Sequence, residues 1–369
     1  MKPENEPATT AAIVGGPGNG PEIAAFGTTP VERLARQIAR SGMRPAPRET
    51  AEILLSNAHV FGNSIVAALR SAASGTVLTD SAGGVAGIRR GDGLDAAVIG
   101  QPLPAGRPGL TGAELAGRYD KKLRKRTDPM VLPAADRRAV EQALFDASYK
   151  GVTDAVTKHL WPVPALAVTR WCARHRITPN QVTWASAVLV GVTFWLFWIG
   201  AFLPGLAAAY LMTFLDTVDG KLARVTLTSS KFGDWLDHGI DLIHPPFWWW
   251  AWAVGCTAIG DPLADGGLAL GVIVAGYVLQ RVEEGFFLWR FGIEMHVWQR
   301  FDSLFRQITA RRNPNLVILT VAALLGAPRE GLIAVAIWVA LCLLVHLVRI
   351  VQALAAAPRG PIRSWLEQD

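Results

Sequence analysis

The chain has little cysteine and little charge. Of its 369 residues, three are Cys and 18% are Asp, Glu, Lys or Arg. Cys172, Cys256 and Cys342 lie far apart, two of them in apolar runs, so we expect neither a disulfide framework nor a zinc site. The opening residues MKPENEPATT hold no apolar h-region, so we expect no cleavable signal peptide.

Apolar residues make up 51% of the chain and are concentrated in its second half. The residues up to about 160 have the mixed composition of a soluble domain, and six apolar runs follow that could cross a hydrocarbon core of about 30 Å. We therefore predict a soluble N-terminal α/β domain and an α-helical polytopic membrane domain with six transmembrane helices. The runs are 182–201, 203–222, 235–259, 267–289, 316–327 with a few residues added at its start, and 331–351.

Lys and Arg are distributed unequally between the two sets of connections that join these runs. The connections after the second, fourth and sixth runs are basic. Of the others, the first is uncharged, the third is acidic, and the fifth holds Arg329 as its single basic residue. By the positive-inside rule, both termini and the Asp-rich connection after the second run face the cytoplasm. The net charge of +6 is explained by this topology, so we expect no nucleic-acid partner.

The soluble region alternates short β-type runs at 12–15, 53–56 and 76–79 with helical patterns at 31–41 and 64–72. We divide the chain into six parts. They are a disordered tail (1–10), the α/β domain (11–117), a basic linker or helix (118–160), a juxtamembrane amphipathic helix (161–180), the six-span domain (181–353) and a cytoplasmic tail (354–369).

The stretch DTVDGKLARVTLTSSKFGDWLDHGID, residues 216–241, places five acids between two apolar runs. Asp216 and Asp219 are spaced i,i+3 and Asp237 and Asp241 i,i+4, so each pair shares one helix face, and we expect the four to converge. Oxygen-only ligands with high negative charge favour Mg²⁺ or Mn²⁺, which suits a diphosphate substrate. Interhelical salt bridges, or the ion site of a cation-coupled membrane transporter, are the alternatives.

The same residues resemble the signature of the CDP-alcohol phosphotransferases, and Pro179-Asn180-x2-Thr183 resembles the PN-x2-T motif of that family. The signature positions are Asp216, Asp219, Gly220, Ala223, Arg224, Gly233, Asp237 and Asp241. The resemblance covers about 161–349. It implies metal-dependent transfer of a phospho-alcohol group from a CDP-alcohol to an acceptor hydroxyl, with release of CMP, in phospholipid or related phosphodiester biosynthesis.

The resemblance also implies a role for each residue. Asp216, Asp219 and Asp237 would bind a pair of Mg²⁺ or Mn²⁺ ions, with Asp241 as a further ligand and as the catalytic general base. The CDP moiety would be framed by Asp216, Asp219, Gly220, Ala223, Arg224, Gly233 and Asp237. Asp234 lies outside the pattern.

The same resemblance implies the partners. The donor would be CDP-diacylglycerol or a similar CDP-alcohol, and the acceptor alcohol is left open. We expect a homodimer in a bacterial or archaeal cytoplasmic membrane.

Arg311 and Arg312, with Lys231 as a weaker candidate, would hold the phosphate of a phosphorylated acceptor. The positive-inside rule also accounts for them. We expect His244 to be a hydrogen-bonded helix histidine, and the tryptophans of PPFWWWAW (245–252) to face lipid or form an interfacial belt.

The N-terminal domain resembles a degenerate nucleotidyltransferase domain of the kind that archaeal inositol-phosphate cytidylyltransferase/phosphotransferase proteins fuse to this membrane domain. Its Gly-rich segment (15–20) is followed by Pro21 rather than a basic residue, and Ser56-Asn57-Ala58-His59 stands where a metal-binding Asp is expected. We therefore expect the domain to be catalytically inactive and to serve packing, regulation or partner binding.

Overall fold

The computed structural model describes residues 9–15, 24–91, 93–264 and 267–368, without the side chains of Phe232 and Asp234. Three sequence predictions therefore lie wholly or mostly outside the described residues. They concern the tail at 1–10, the Gly-rich segment at 15–20, and Asp234.

The N-terminal region is an α/β domain, as predicted. Its five-stranded mixed sheet has the order β2-β1-β3-β6-β5. β1 pairs in parallel with β2 and β3, and β6 pairs antiparallel with β3 and β5. The elements are β1 (Thr10–Val14), α1 (Pro30–Arg40), β2 (Arg44–Pro45), β3 (Ile53–Ser56), β4 (His59–Phe61), α2 (Asn63–Ser71), β5 (Val77–Thr79), β6 (Val85–Arg89) and α3 (Gly112–Ala116).

Helix α1 begins where its sequence predicts. Thr29 and Glu32 form a capping box, and Pro30 occupies the first helical position, where its missing N–H has no partner to lose. Leu34 and Ile38 pack into the domain core on one side of the helix. Arg33, on another side, is also buried.

Residues 118–160 hold more structure than a linker. They contain a hairpin, a strand that pairs with β4, and a helix, in the order β7 (Tyr119–Asp120), β8 (Lys125–Arg126), β9 (Val131–Pro133) and α4 (Arg137–Ser148). The juxtamembrane segment contains α5 (Pro162–Arg174). The chain then turns through Arg176, which has a left-handed backbone (φ 57°), so this helix ends before residue 180.

All six predicted apolar runs are helical. The helices are α6 (Pro179–Trp198), α7 (Phe202–Val225), α8 (Lys231–Ala258), α9 (Leu268–Phe291), α11 (Arg312–Leu324) and α12 (Pro328–Ala356), with the short α10 (Arg300–Phe305) before α11. Helix α6 begins before the predicted residue 182 because Thr178 and Gln181 form a capping box with Pro179 at the first position.

Within the part of the chain that the structure describes, two helices, Pro179–Trp198 and Pro328–Arg359, are long and apolar enough to cross a membrane. The prediction of six transmembrane helices is therefore not confirmed by length and composition. Helices α7 and α9 each have 24 residues, about 36 Å, but carry charged side chains toward one end. Helix α11 has 13 residues, about 20 Å, which is short of the hydrocarbon core.

The tryptophans of the third apolar run form the centre of the helical core, so the prediction of a lipid-facing belt is wrong for most of them. Trp248, Trp249 and Trp252 are at most 1% exposed, whereas Trp250 is 44% exposed and Trp235, at the start of the run, is 73% exposed. The indole N–H of Trp248 donates to the carbonyl of Val190 on α6. These contacts pack α8 against α6 and thereby orient the acidic end of α8.

Candidate active site

Helices α7 and α8 bring the acids of the signature together at one end of the helical bundle. Carboxylate oxygens of Asp216, Asp237 and Asp241 lie within 4.8 Å of one another. The turn between the helices, residues 226–230, is called the α7–α8 loop below. It returns the chain so that the last turns of α7 face the first turns of α8.

Asp219 lies deeper than the other three acids and is contacted by the PN-x2-T motif. It is 3% exposed, and Thr183 Oγ1 of α6 donates to its Oδ2 at 2.6 Å. The other oxygen of Asp219, Oδ1, is buried and has no hydrogen-bond partner among the described residues. A buried carboxylate oxygen without a donor is costly unless a cation or ligand meets it.

Beside Asp219 a cleft of about 320 Å³ opens between α6, α7, α8 and the α7–α8 loop. Eight of its lining residues were predicted from the two motifs: Pro179, Asn180, Thr183, Asp219, Gly220, Ala223, Gly233 and Asp237. The remaining three, Thr228, Ser229 and Ser230, were missed. In the sequence, these three residues form the run TSS directly before α8, and their hydroxyl groups were the one indication that they could line a polar site.

Gly233 allows α6 and α8 to approach closely at the cleft. A Cβ added there would lie 2.7 Å from Asn180 Oδ1 and 3.1 Å from Ser230 Oγ. Ser230 caps α8 by accepting a hydrogen bond from the Gly233 N–H at 3.0 Å. The glycine of the signature therefore makes room for Asn180, a residue of the other motif.

Arg312 is the cation that meets the acids. Its Nη1 donates to Asp241 Oδ1 and its Nη2 to Asp216 Oδ2, each at 2.5 Å. Compensating positive charge within residues 216–241 is limited to Lys221, Arg224 and Lys231. The arginine at the start of α11 supplies it from another helix.

Lys221 and Arg224 point toward the α4 region. Lys221 Nζ lies 3.6 Å above the ring centre of Tyr149, and Arg224 Nη1 donates to the carbonyl of Ser148 at 3.1 Å. Arg224 does not line the cleft, although its Nη2 lies 2.8 Å from where a Cβ on Gly220 would stand. Of the predicted CDP-binding residues, Asp216 is also outside the cleft lining.

Arg311 and Lys231 are placed differently from Arg312. Arg311 forms an ion pair with Glu284 of α9, which also accepts from His296 at 3.1 Å. Arg311 and Arg312 together line a second, narrow cavity. Lys231, the first residue of α8, is exposed and lines neither cavity.

His244 behaves as predicted, since its Nδ1 lies 2.7 Å from the Ile240 carbonyl one turn earlier in α8. In the N-terminal domain, His59 stands where a metal-binding Asp was expected. It pairs with Asp80, its Nε2 lying 3.0 Å from Asp80 Oδ2, and both side chains are buried. All three cysteines are buried and free.

The acid cluster has the donor chemistry of a divalent-metal site. Three carboxylates lie within bridging distance, a fourth is oriented beside them with an unpartnered oxygen, and the donors are oxygen only. Hard cations such as Mg²⁺ and Mn²⁺ prefer such ligands. The residues present therefore fit the predicted cation.

The middle of the chain, residues 176–312, matches the family model of the CDP-alcohol phosphatidyltransferases. These are divalent-metal-dependent transferases of membranes. Residues 176–312 are thus a CDP-alcohol phosphatidyltransferase domain, which contains the PN-x2-T motif, every signature residue and Arg312. No curated protein matches the chain.

Proposed function

We propose that the chain is an integral membrane CDP-alcohol phosphotransferase. It transfers a substituted phosphate group from a CDP-alcohol to an acceptor hydroxyl and releases CMP. The observation that carries the proposal is the cleft of about 320 Å³, because it is lined by both family motifs and adjoins the cluster of Asp216, Asp237 and Asp241.

The donor binds with its CDP moiety in this cleft. Gly220, Ala223 and Gly233 keep the walls small, and Thr228, Ser229 and Ser230 offer hydroxyl groups to the nucleotide. Mg²⁺ or Mn²⁺, as a pair held by Asp216, Asp219, Asp237 and Asp241, would neutralise charge on the diphosphate oxygens. The alcohol portion, diacylglycerol or a similar group, extends from the cleft into the bilayer.

Asp241 acts as the general base. Arg312 holds its Oδ1 at 2.5 Å, so Oδ2 takes the proton from the acceptor hydroxyl. The acceptor oxygen then forms a bond to the phosphorus that bears the alcohol. The bond from that phosphorus to the bridging oxygen breaks, and CMP leaves with the electron pair.

The acceptor binds next to the base, at the arginines that line the narrow second cavity. Arg311 and Arg312 line this cavity with Tyr277 and Asn315, which gives it donors suited to a polar or phosphorylated alcohol. The product is a phospholipid or a related phosphodiester, made on the cytoplasmic side of a bacterial or archaeal membrane. We propose that the enzyme works as a homodimer.

The test compares Asp241→Asn with the unmodified protein. Purified protein is incubated with Mg²⁺, CDP-diacylglycerol and a panel of acceptor alcohols, CMP is measured by chromatography, and the product is identified by mass. Loss of a general base predicts a fall in kcat of about 10²-fold or more. Asp261→Asn is the matched control, because Asp261 lies at the other end of the bundle. Its Oδ1 there lies 2.8 Å from Arg329 Nη1. Full activity of Asp241→Asn would exclude the mechanism.

A further inference from the structure

Helix α1 of the N-terminal domain contacts the α7–α8 loop through three arginines. Arg33, Arg36 and Arg40 are spaced i, i+3 and i+7, so they lie along one face of the helix. Their donors reach backbone carbonyls about 190 residues later in the chain. This face connects the two domains at the edge of the cleft.

Two of these arginines cap the end of α7. Arg33 Nη1 donates to the Val225 carbonyl at 2.6 Å, and Arg36 Nη1 donates to the Thr226 carbonyl at 2.5 Å. The last carbonyls of a helix have no partner within the helix and carry partial negative charge. Two guanidinium groups from another domain therefore hold the end of the helix that bears Asp216 and Asp219.

The third arginine holds a residue that lines the cleft. Arg40 Nη2 donates to the Ser229 carbonyl at 3.2 Å and to Ser229 Oγ at 2.9 Å. Ser229 stands between Thr228 and Ser230, which also line the cleft. The preceding Leu227 is buried and has a left-handed backbone (φ 55°), a conformation that a leucine keeps only when its surroundings fix it.

The arginine face is itself fixed to the core of the N-terminal domain. Arg33 is 5% exposed, and its Nη2 donates to Asn63 Oδ1 at 3.1 Å. Gln37 reaches the same Asn63 oxygen and donates to the Phe61 carbonyl at 3.0 Å. The guanidinium groups thus extend from a rigid element, and their positions determine where the loop lies.

We propose that the N-terminal domain positions the α7–α8 loop for donor binding, with Arg33, Arg36 and Arg40 as positioning residues. This inference rests on the proposed function, because the loop matters only if the cleft takes the CDP moiety. It gives the domain a role that requires no nucleotidyltransferase chemistry. It also predicts that the domain affects KM for the donor more than kcat.

The test uses the full chain with Arg36→Ala and Arg40→Ala combined, since Arg40 is exposed and Arg36 half-buried. KM for CDP-diacylglycerol is expected to rise about tenfold while kcat changes by less than about twofold. Hydrogen–deuterium exchange of residues 226–230 is expected to increase. The matched control combines Arg44→Ala and Arg48→Ala, which removes equal charge from exposed positions of the same domain.

Unchanged KM and unchanged exchange in the first variant would overturn the proposal, as would equal effects in the control. Exchange is measured without substrate, so it decides whether α1 holds the loop even if the unmodified protein releases no CMP. If the double variant lost its helical circular dichroism, Arg40→Ala alone, at an exposed residue, would replace it.

Discussion

At the residue scale, two of the three glycines of α8, Gly233 and Gly239, offer a sharp comparison. A Cβ on Gly233 would meet Asn180 Oδ1 at 2.7 Å, whereas a Cβ on Gly239 meets nothing within 4 Å. The Asn180 amide can swing away, so Gly233→Ala is expected to preserve the fold. It would, however, displace a residue that lines the cleft.

We predict that Gly233→Ala raises KM for CDP-diacylglycerol by about tenfold, whereas Gly239→Ala leaves it unchanged. Gly239→Ala is also expected to stabilise α8 by up to about 1 kcal/mol, because Ala has the higher helix propensity. Steady-state kinetics and thermal melts of both variants make the comparison. Equal KM values for the two would show that the Gly233–Asn180 contact does not shape the donor site.

The buried His59–Asp80 pair predicts a pH-dependent stability of the N-terminal domain. Burial raises the pKa of Asp80, but hydrogen bonds from His59, Gly84 and Ala82 outweigh it and leave the pKa below its usual value. A carboxyl whose folded pKa lies below the unfolded value of about 3.9 stabilises the fold above that pH. This stabilisation is lost as the pH falls through the folded pKa.

Asp80→Asn should therefore lower the free energy of unfolding by about 1–2 kcal/mol at pH 7, with a smaller difference below pH of about 4. The measurement is the urea concentration at which the β6 peptide loses protection from hydrogen exchange. Glu49→Gln is the control, because Glu49 forms an exposed pair with Arg48 that contributes little. A difference that grew in acid would contradict the assignment.

Residue spacing within one helix was readable from the sequence, and contacts between helices were not. The i,i+3 and i,i+4 patterns fix which face Asp216, Asp219, Asp237 and Asp241 occupy. Nothing local indicates that Arg312 reaches Asp216 across 96 positions. That contact depends on how α11 packs beside α7, so Arg312 was predicted only as a phosphate ligand or as a positive-inside residue.

At the element scale, hydropathy located the six long helices but not their ends. Helices α6 and α8 begin before the predicted residues because Thr178 and Ser230 cap them. Their first turns are the ones that line the cleft, so a prediction based on apolar runs alone begins beyond the functional turns. The capping pattern TPNQ was present in the sequence and carries this information.

The contact between the N-terminal domain and the α7–α8 region could not be predicted from the sequence. The helical pattern of α1 predicts its apolar face, and Leu34 and Ile38 occupy it. Arginines on the polar face are usually solvated, so Arg33 gave no sign of burial. The tertiary contacts with Val225 and Asn63 explain why a guanidinium lies inside the protein.

At the scale of the whole molecule, the two ends of the helical bundle differ in chemistry. One end holds the acid cluster, the cleft and the contacts with the N-terminal domain. At the other end, the described charged residues are few, and Arg329 pairs there with Asp261 at 2.8 Å. This separation supports a cytoplasmic active site, with the sparse end across the membrane.

The same asymmetry predicts the outcome of topology mapping by single cysteine substitutions. Six crossings put Ala264→Cys and Leu325→Cys outside and Arg290→Cys and Arg363→Cys inside. A membrane-impermeant maleimide should then label the first two in intact cells and the others only after lysis. The native cysteines are buried and give little background.

The mapping separates six crossings from two. If only α6 and α12 crossed the membrane, positions 264, 290 and 325 would lie on one side and label alike. Position 325 gives the strictest test of six crossings, because α11 has only 13 residues, about 20 Å. A helix of this length spans the membrane only if flanking residues extend it or the bilayer is thinner. Labelling of Leu325→Cys in intact cells, together with protection of Arg290→Cys until lysis, would establish that α11 reaches the outer face.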